Sequence, residues 1–172
     1  MKKFLFMPLL AVIAVLFSFT PANQWELYTS AEGHFSITFP GKPEESVQDD
    51  RTEDNVIFKI HLATVAPSDD EVYMTGWIDM RSFYPKDKAI KQMLEDSRDG
   101  ATASMRATKV TTLATDLGDK PYIEFTFETE EFTGKDRIYV INKFQYSIIT
   151  IFSLKKGILP SADKFISSFK PA

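Results

Sequence analysis

Residues 132–153 read FTGKDRIYVINKFQYSIITIFS and contain two apolar runs separated by Asn142 and Lys143. In the second run, residues 146–152, apolar side chains occupy both odd and even positions. Successive side chains of a strand point to opposite faces, so this pattern predicts a strand that is covered on both sides of its sheet. A two-residue connection is typical of a hairpin. The stretch therefore predicts a central antiparallel pair of strands.

Strand patterns also surround this hairpin. Alternating apolar and polar residues, or short apolar runs, predict further strands at residues 25–28, 34–39, 56–65, 72–80, 109–115 and 121–129. The short connections between them predict antiparallel neighbours. The polar segment 44–55 is predicted to be a loop or an exposed hairpin tip, and residues 133–136 are predicted to lie near another tip.

Two segments change from the period of a strand to that of a helix. After Pro85, apolar residues such as Ile90 and Leu94 recur at spacings of three and four, which predicts an amphipathic helix with one packed face. Pro85 is expected in its first turn. A second helix is predicted to begin near Pro160, with the hydroxyl of Ser161 as its cap.

Several short motifs can be compared with a known family. They are WELY at residues 25–28, GHFSITFPGKP at 33–43, SRDGA at 97–101, YIEF at 122–125, RIY at 137–139 and FISSF at 165–169. Together they resemble small exported bacterial proteins of the PsbP-like α/β/α sandwich type. The resemblance implies an α+β fold, in which helices flank a twisted, mostly antiparallel sheet. It also implies a non-catalytic role as a subunit or partner-binding module.

The N-terminus has the parts of a secretory signal peptide. Lys2 and Lys3 precede an apolar run at residues 4–19, and small residues follow near Ala22. The sequence therefore predicts a signal peptide at residues 1–22, a single domain at residues 23–172, and export to the periplasm or the extracellular space. The alternative is a retained membrane anchor, although such an anchor usually needs about 20 apolar residues.

Composition excludes several classes of site and partner. The chain contains no cysteine, so it has no disulfide, no thiolate nucleophile and no cysteine metal ligand. Its formal net charge is -4, and it becomes more acidic if Lys2 and Lys3 are removed with the leader. Without a basic stripe, neither nucleic acid nor an anionic membrane surface is an expected partner of the mature protein.

No catalytic motif is visible, and no catalytic residue, metal site or cofactor is predicted. The two histidines, His34 and His61, lack the spacing of a metal pair, and surface or cross-strand packing is the simpler interpretation. No Gly-x-Ser-x-Gly motif or glycine-rich phosphate loop is present. The alternative is an extracytoplasmic hydrolase, with or without calcium, whose carboxylates come from the acidic segments 49–54 and 69–71.

The candidate binding residues are aromatic side chains close to an arginine, a combination that is common at interfaces. They are Trp77, Arg81, Phe83 and Tyr84. Burial of the aromatic side chains in the core is the competing interpretation. The resulting hypothesis is an exported, non-enzymatic binding or accessory protein whose partner is an unknown protein, an envelope component or a small apolar ligand.

Overall fold

The computed structural model describes residues 25–52 and 54–172, so the predicted signal peptide lies outside the described residues. Strands make up 52% of the described chain and helices 16%. The strands are β1 (Glu26–Ser30), β2 (Phe35–Phe39), β3 (Glu44–Arg51), β4 (Ile57–Ser68), β5 (Glu71–Asp79), β6 (Lys109–Asp116), β7 (Tyr122–Glu128), β8 (Phe132–Ile141), β9 (Phe144–Ser153) and β10 (Lys170–Pro171). The helices are α1 (Ile90–Ser104) and α2 (Pro160–Ser167).

The main sheet has 7 strands in the order β3-β4-β5-β9-β8-β7-β6. All of its pairs are antiparallel. The central strand, β9, is buried along almost its whole length. Asn142 and Lys143 connect β8 to β9 with φ angles of 50° and 66°, which suit a hairpin turn whose twist matches that of its strands. The central hairpin predicted from residues 132–153 is confirmed.

A second sheet of 3 strands, β1-β2-β10, packs on one face of the main sheet together with α2. The apolar side chains of β2 are almost completely buried. Among them, Phe39 packs on Phe165 of α2 with ring centroids 4.9 Å apart. The hydroxyl of Tyr146 donates a hydrogen bond of 2.9 Å to the carbonyl of Gly33. The small sheet is therefore attached to the main sheet by aromatic packing and by a buried hydrogen bond.

Helix α1 covers the opposite face of the main sheet. Its residues Met93 and Leu94 are buried, and they share a core cluster with Phe125, Ile138 and Ile149 of the sheet. The helix predicted from the spacing of apolar residues is confirmed. The main sheet is thus covered by one helix on one face and mainly by another sheet on the other.

The predicted fold class, a PsbP-like α/β/α sandwich with helices flanking one sheet, is wrong. The structure is mostly β, with two antiparallel sheets and two helices. Local alternation correctly predicts the first two strands, but it carries no information about which sheet they join. Neither strand of the first hairpin pairs with the main sheet; the hairpin forms a separate sheet with β10, whose Lys170 lies opposite Ser36 of β2.

Two predicted loop positions also differ from the structure. Residues 44–51 form the edge strand β3, whose charged side chains stay in solvent while its backbone pairs with β4. A tip follows this strand, where the amide of Asn55 donates to the carbonyl of Thr52. Residues 133–136 lie within β8. There, a Cβ on Gly134 would lie 2.3 Å from the carbonyl oxygen of Thr150, so this glycine serves close strand packing and not a turn.

The residues at the starts of the two helices differ from those predicted to lie in the first turn of α1 and to cap α2. Pro85 precedes α1 instead of lying in its first turn. Leu159 precedes α2, and no side chain caps that helix. Ser161 instead accepts a hydrogen bond of 2.7 Å from the hydroxyl of Tyr73. Ser161 lies inside the first turn of α2, one residue after Pro160, so its hydroxyl is not at the capping position, which Leu159 occupies.

Within residues 25–52 and 54–172, no helix has the length and apolar content needed to cross a membrane. The absence of cysteine from the sequence means that no disulfide supports the fold.

Candidate functional site

Two open cavities lie side by side at the junction between the small sheet and the β3-β4-β5 edge of the main sheet. The first has a volume of about 290 Å³ and lies between β1, the turn after it, and β3 to β5. The second, of about 490 Å³, lies beyond it toward the ends of β4, β5 and β9. Glu32, His61 and Trp77 line both cavities. These shared residues make the two cavities neighbouring parts of one cleft.

A stacked pair of rings separates the two cavities. His61 of β4 and Trp77 of β5 are cross-strand partners, and their rings are parallel within 10° at a centroid distance of 3.8 Å. Burial lowers the pKa of the His61 imidazole, the positive charge of Lys59 lowers it further, and the negative charge of Glu32 opposes both effects. The imidazole is therefore neutral at neutral pH. Cross-strand packing of His61, the simpler interpretation of the sequence, is confirmed.

The first cavity has an acidic lining. Glu32 comes from the turn after β1 and Glu45 from the edge strand β3, and both line the cavity. Burial raises the pKa of Tyr28 to about 12, and a hydrogen bond to Glu45 with the charge of that carboxylate adds to the effect. The phenol therefore stays protonated, and its O–H donates a hydrogen bond to Glu45. The described residues that line this cavity include two carboxylates and neither lysine nor arginine.

An unpartnered hydroxyl group belongs to the same cavity. Thr75 lies on the face of β5 that carries Trp77, lines the first cavity and is 0% exposed. Its Oγ1 atom is buried without a hydrogen-bond partner. A buried polar group left unpaired costs about 1–3 kcal/mol of stability. The fold thus keeps an oxygen beside the cavity that a bound group could satisfy.

The second cavity contains charges of both signs. Nε of Arg81 donates hydrogen bonds of 2.9 Å to both carboxylate oxygens of Asp79. These bonds hold the pKa of Asp79 below its usual value. The Arg81 guanidinium lies 5.4 Å from the ring centroid of Phe144. Lys59 also lines this cavity and pairs with Asp49 at 3.1 Å. Both cations of this cavity therefore have a carboxylate partner.

The structure brings together only part of the predicted binding set. Trp77 and Arg81 both line the second cavity, although Trp77 is only 7% exposed and belongs to the core. Phe83 and Tyr84 instead pack against the core cluster under α1. Phe83 contacts Phe58 with ring centroids 4.9 Å apart. The four residues thus divide between two faces of the main sheet.

Sequence reasoning did not identify Glu32, Glu45 and Thr75 as site residues. They come from a turn, an edge strand and a buried strand, and they lie in no shared motif. Their only local signal is the position of Thr75 on the same face of β5 as Trp77. The cavity depends on packing between two sheets, which local patterns do not report.

The described residues of the acidic segments proposed for the hydrolase alternative do not line either cavity. Asp69 and Asp70 are exposed in the turn before β5, and Glu71 pairs with Lys156 at 2.7 Å. Among the residues that the structure describes, no group of three or more histidine, aspartate or glutamate side chains could hold a metal ion. The carboxylates at the cleft are therefore different residues from those that the sequence suggested.

No family model matches this chain, and no curated protein matches it significantly. A functional proposal therefore depends on the cleft itself.

Proposed function

We propose that this protein is an exported, non-enzymatic binding protein that holds a small molecule in the cleft formed by the two cavities. The observation that carries the proposal is the shared lining of the cavities by Glu32, His61 and Trp77. Small-molecule sites are typically concave, about 300–1,000 Å³ in volume, with a largely apolar lining and few polar groups. Cavities of about 290 and 490 Å³ suit a small molecule.

The arrangement of the polar groups favours binding over catalysis. The His61 ring lies flat on Trp77, and Asp79 is held by Arg81 in a two-point ion pair. A general acid or base needs a free position beside the reacting group and a pKa near the working pH. The low pKa of Asp79 fits a charge partner for Arg81 better than a proton donor.

We also propose export, because residues 1–22 have the composition of a signal peptide. If the segment is cleaved, mass spectrometry of the protein recovered from cells that express the full chain will find a mature N-terminus near Asn23. A recovered protein that begins at Met1 in the cytoplasmic fraction would contradict export.

The binding proposal can be tested with a chemically diverse small-molecule library and protein purified from cells that express the full chain. Thermal unfolding would be measured for the wild type and for Val47→Trp. Val47 lines the first cavity and is 54% exposed, so tryptophan there can fill the cavity entrance without disturbing the core. We expect at least one compound to raise the Tm of the wild type but not of Val47→Trp.

Val110→Trp is the matched control. Val110 is also an exposed valine on an edge strand, but it lies on β6 at the opposite edge of the main sheet. Ligands of the cleft should stabilise this variant as they do the wild type. If no compound stabilises the wild type, or if Val47→Trp responds equally to every active compound, the proposed site is wrong.

A further inference from the structure

We infer that the first cavity binds the primary ammonium group of a small organic amine. This inference rests on the proposed small-molecule function and specifies the ligand class. Glu32 and Glu45 line the cavity, and the described lining contains no lysine or arginine that could neutralise them. Like charges placed together are unfavourable, whereas a cation complements both carboxylates. The lining therefore favours a cationic ligand over an anionic one.

The hydrogen-bonding groups favour an ammonium with N–H donors. The Tyr28 phenol already uses its proton on Glu45, and a carboxylate can accept several further hydrogen bonds. Thr75 is fully buried, and its Oγ1 has no hydrogen-bond partner. A primary ammonium has three donors and no acceptor. Its donors suit the carboxylate and hydroxyl oxygens of this lining, whereas a quaternary ammonium has no N–H donor to offer them.

The second cavity suits the remainder of such a ligand. Ile57, Phe58 and Phe144 line it and provide apolar surface, and Ile57 is 64% exposed. Its cations are already paired, Arg81 with Asp79 and Lys59 with Asp49. An alkyl or aryl group that extends from the ammonium past the His61–Trp77 stack would thus meet an apolar wall with few unpaired charges.

The test compares four probes of similar size: butylamine, 1-butanol, butyrate and tetramethylammonium. Their dissociation constants would be measured by NMR titration at low ionic strength, with protein obtained from cells that express the full chain. We expect butylamine to bind at least tenfold more tightly than each of the other three. Because the attraction is electrostatic, its affinity should fall as salt is added.

Two pairs of charge-neutralising variants identify the site. Glu45→Gln and Glu32→Gln should each weaken butylamine binding at least fivefold. Glu44→Gln and Glu26→Gln are the controls, because they change the net charge by the same amount at exposed neighbouring positions that line neither cavity. These controls should bind butylamine as the wild type does.

The outcomes separate the inference from the proposed function. If 1-butanol, butyrate or tetramethylammonium binds in the cleft as tightly as butylamine, the amine assignment is wrong and the small-molecule site stands. Equal losses of butylamine affinity in Glu45→Gln and Glu44→Gln would also overturn the amine assignment. They would show an effect of net charge and not of position in the cavity. If neither these probes nor the library stabilise the protein, the binding function itself is wrong.

Discussion

At the scale of single residues, Thr75 connects the stability of the free protein to ligand binding. Its hydroxyl oxygen is buried and unpaired, so Thr75→Val removes a group that lost its hydration on folding without gaining a partner. We expect this variant to be about 1 kcal/mol more stable than the wild type without ligand. It should also bind butylamine more weakly. Urea unfolding and NMR titration measure the two effects.

A loss of stability in Thr75→Val would contradict the proposed role of its hydroxyl. If Thr75→Val is less stable than the wild type, the hydroxyl makes a favourable hydrogen bond in the free protein. It would then not be available to a ligand, and the third contact proposed for the ammonium group would be lost. Thr115→Val, at an exposed position on β6, serves as the control for the side-chain change itself.

Asp136 is a second residue whose environment is unusual. Its side chain is 1% exposed on β8, and both carboxylate oxygens accept hydrogen bonds from the hydroxyl of Ser147 at 3.0 and 3.1 Å. Burial raises the pKa of Asp136 from 3.8 to about 7, although the bonds from Ser147 and from backbone amides oppose the shift. The carboxyl group is therefore largely protonated in the folded protein at mildly acidic pH.

This shift predicts that stability falls as pH rises from about 4 to about 7. The folded state holds the Asp136 proton more tightly than the unfolded state does. The resulting contribution to the free energy of unfolding is fully present below about pH 4 and is lost as the pH rises past the folded pKa of Asp136. A shift of this size corresponds to about 4 kcal/mol at most. The free energy of unfolding, measured with urea at several pH values, should fall with rising pH in the wild type. This pH dependence should be absent in Asp136→Asn. The same pH dependence of the free energy of unfolding in both proteins would contradict the raised pKa of Asp136. Asp54→Asn, at an exposed position, is the control and should keep the pH dependence of the wild type.

At the scale of secondary-structure elements, β10 holds the small sheet in place. Lys170 and Pro171 pair with Ser36 and Phe35 of β2, and the amide of Ala172 donates a hydrogen bond of 2.8 Å to the carbonyl of His34. The turn between β1 and β2 carries Glu32, which lines both cavities. The C-terminal residues therefore help to position one wall of the cleft.

Deletion of residues 170–172 should loosen the small sheet while the main sheet stays folded. Because the deletion removes the pairing with β2, we expect amide hydrogen exchange in β2 to accelerate at least tenfold, with little change in β9. Butylamine binding should weaken in parallel. Pro171→Ala keeps the backbone pairing and should behave as the wild type. Unchanged exchange in β2 after the deletion would show that α2 and the aromatic core are sufficient to hold the sheet.

At the scale of the whole molecule, the sequence predicts most strands and both helices but not their arrangement in sheets. Strand alternation depends on neighbouring residues, so residues 132–153 were enough to predict the central hairpin. Residues 133–136 were misplaced because glycine is common in turns, whereas Gly134 permits close packing against Phe127 and β9. The pairing of Ser36 with Lys170 joins distant parts of the chain, and no local pattern reports it.

The cleft was predictable only in part, for a similar reason. The sequence predicts Trp77 and Arg81 as binding residues because an aromatic residue lies near a cation, and both line the second cavity. Phe83 and Tyr84 have the same chemistry, but after the end of β5 the chain turns to the face covered by α1. Glu32, Glu45 and Thr75 line one cavity only when the small sheet packs over β3 to β5.

The pairing of β2 with β10 also sets an order of events while the chain is being made. The strands of the main sheet occupy the middle of the sequence, and apart from β5 with β9 every neighbouring pair consists of consecutive strands, so this sheet can begin to form on an incomplete chain. The first hairpin emerges early, but its partner β10 follows every strand of the main sheet along the chain. We therefore expect the wall of the cleft that carries Glu32 to stay incomplete on a nascent chain until β10 has been made, although the main sheet has all its strands by then.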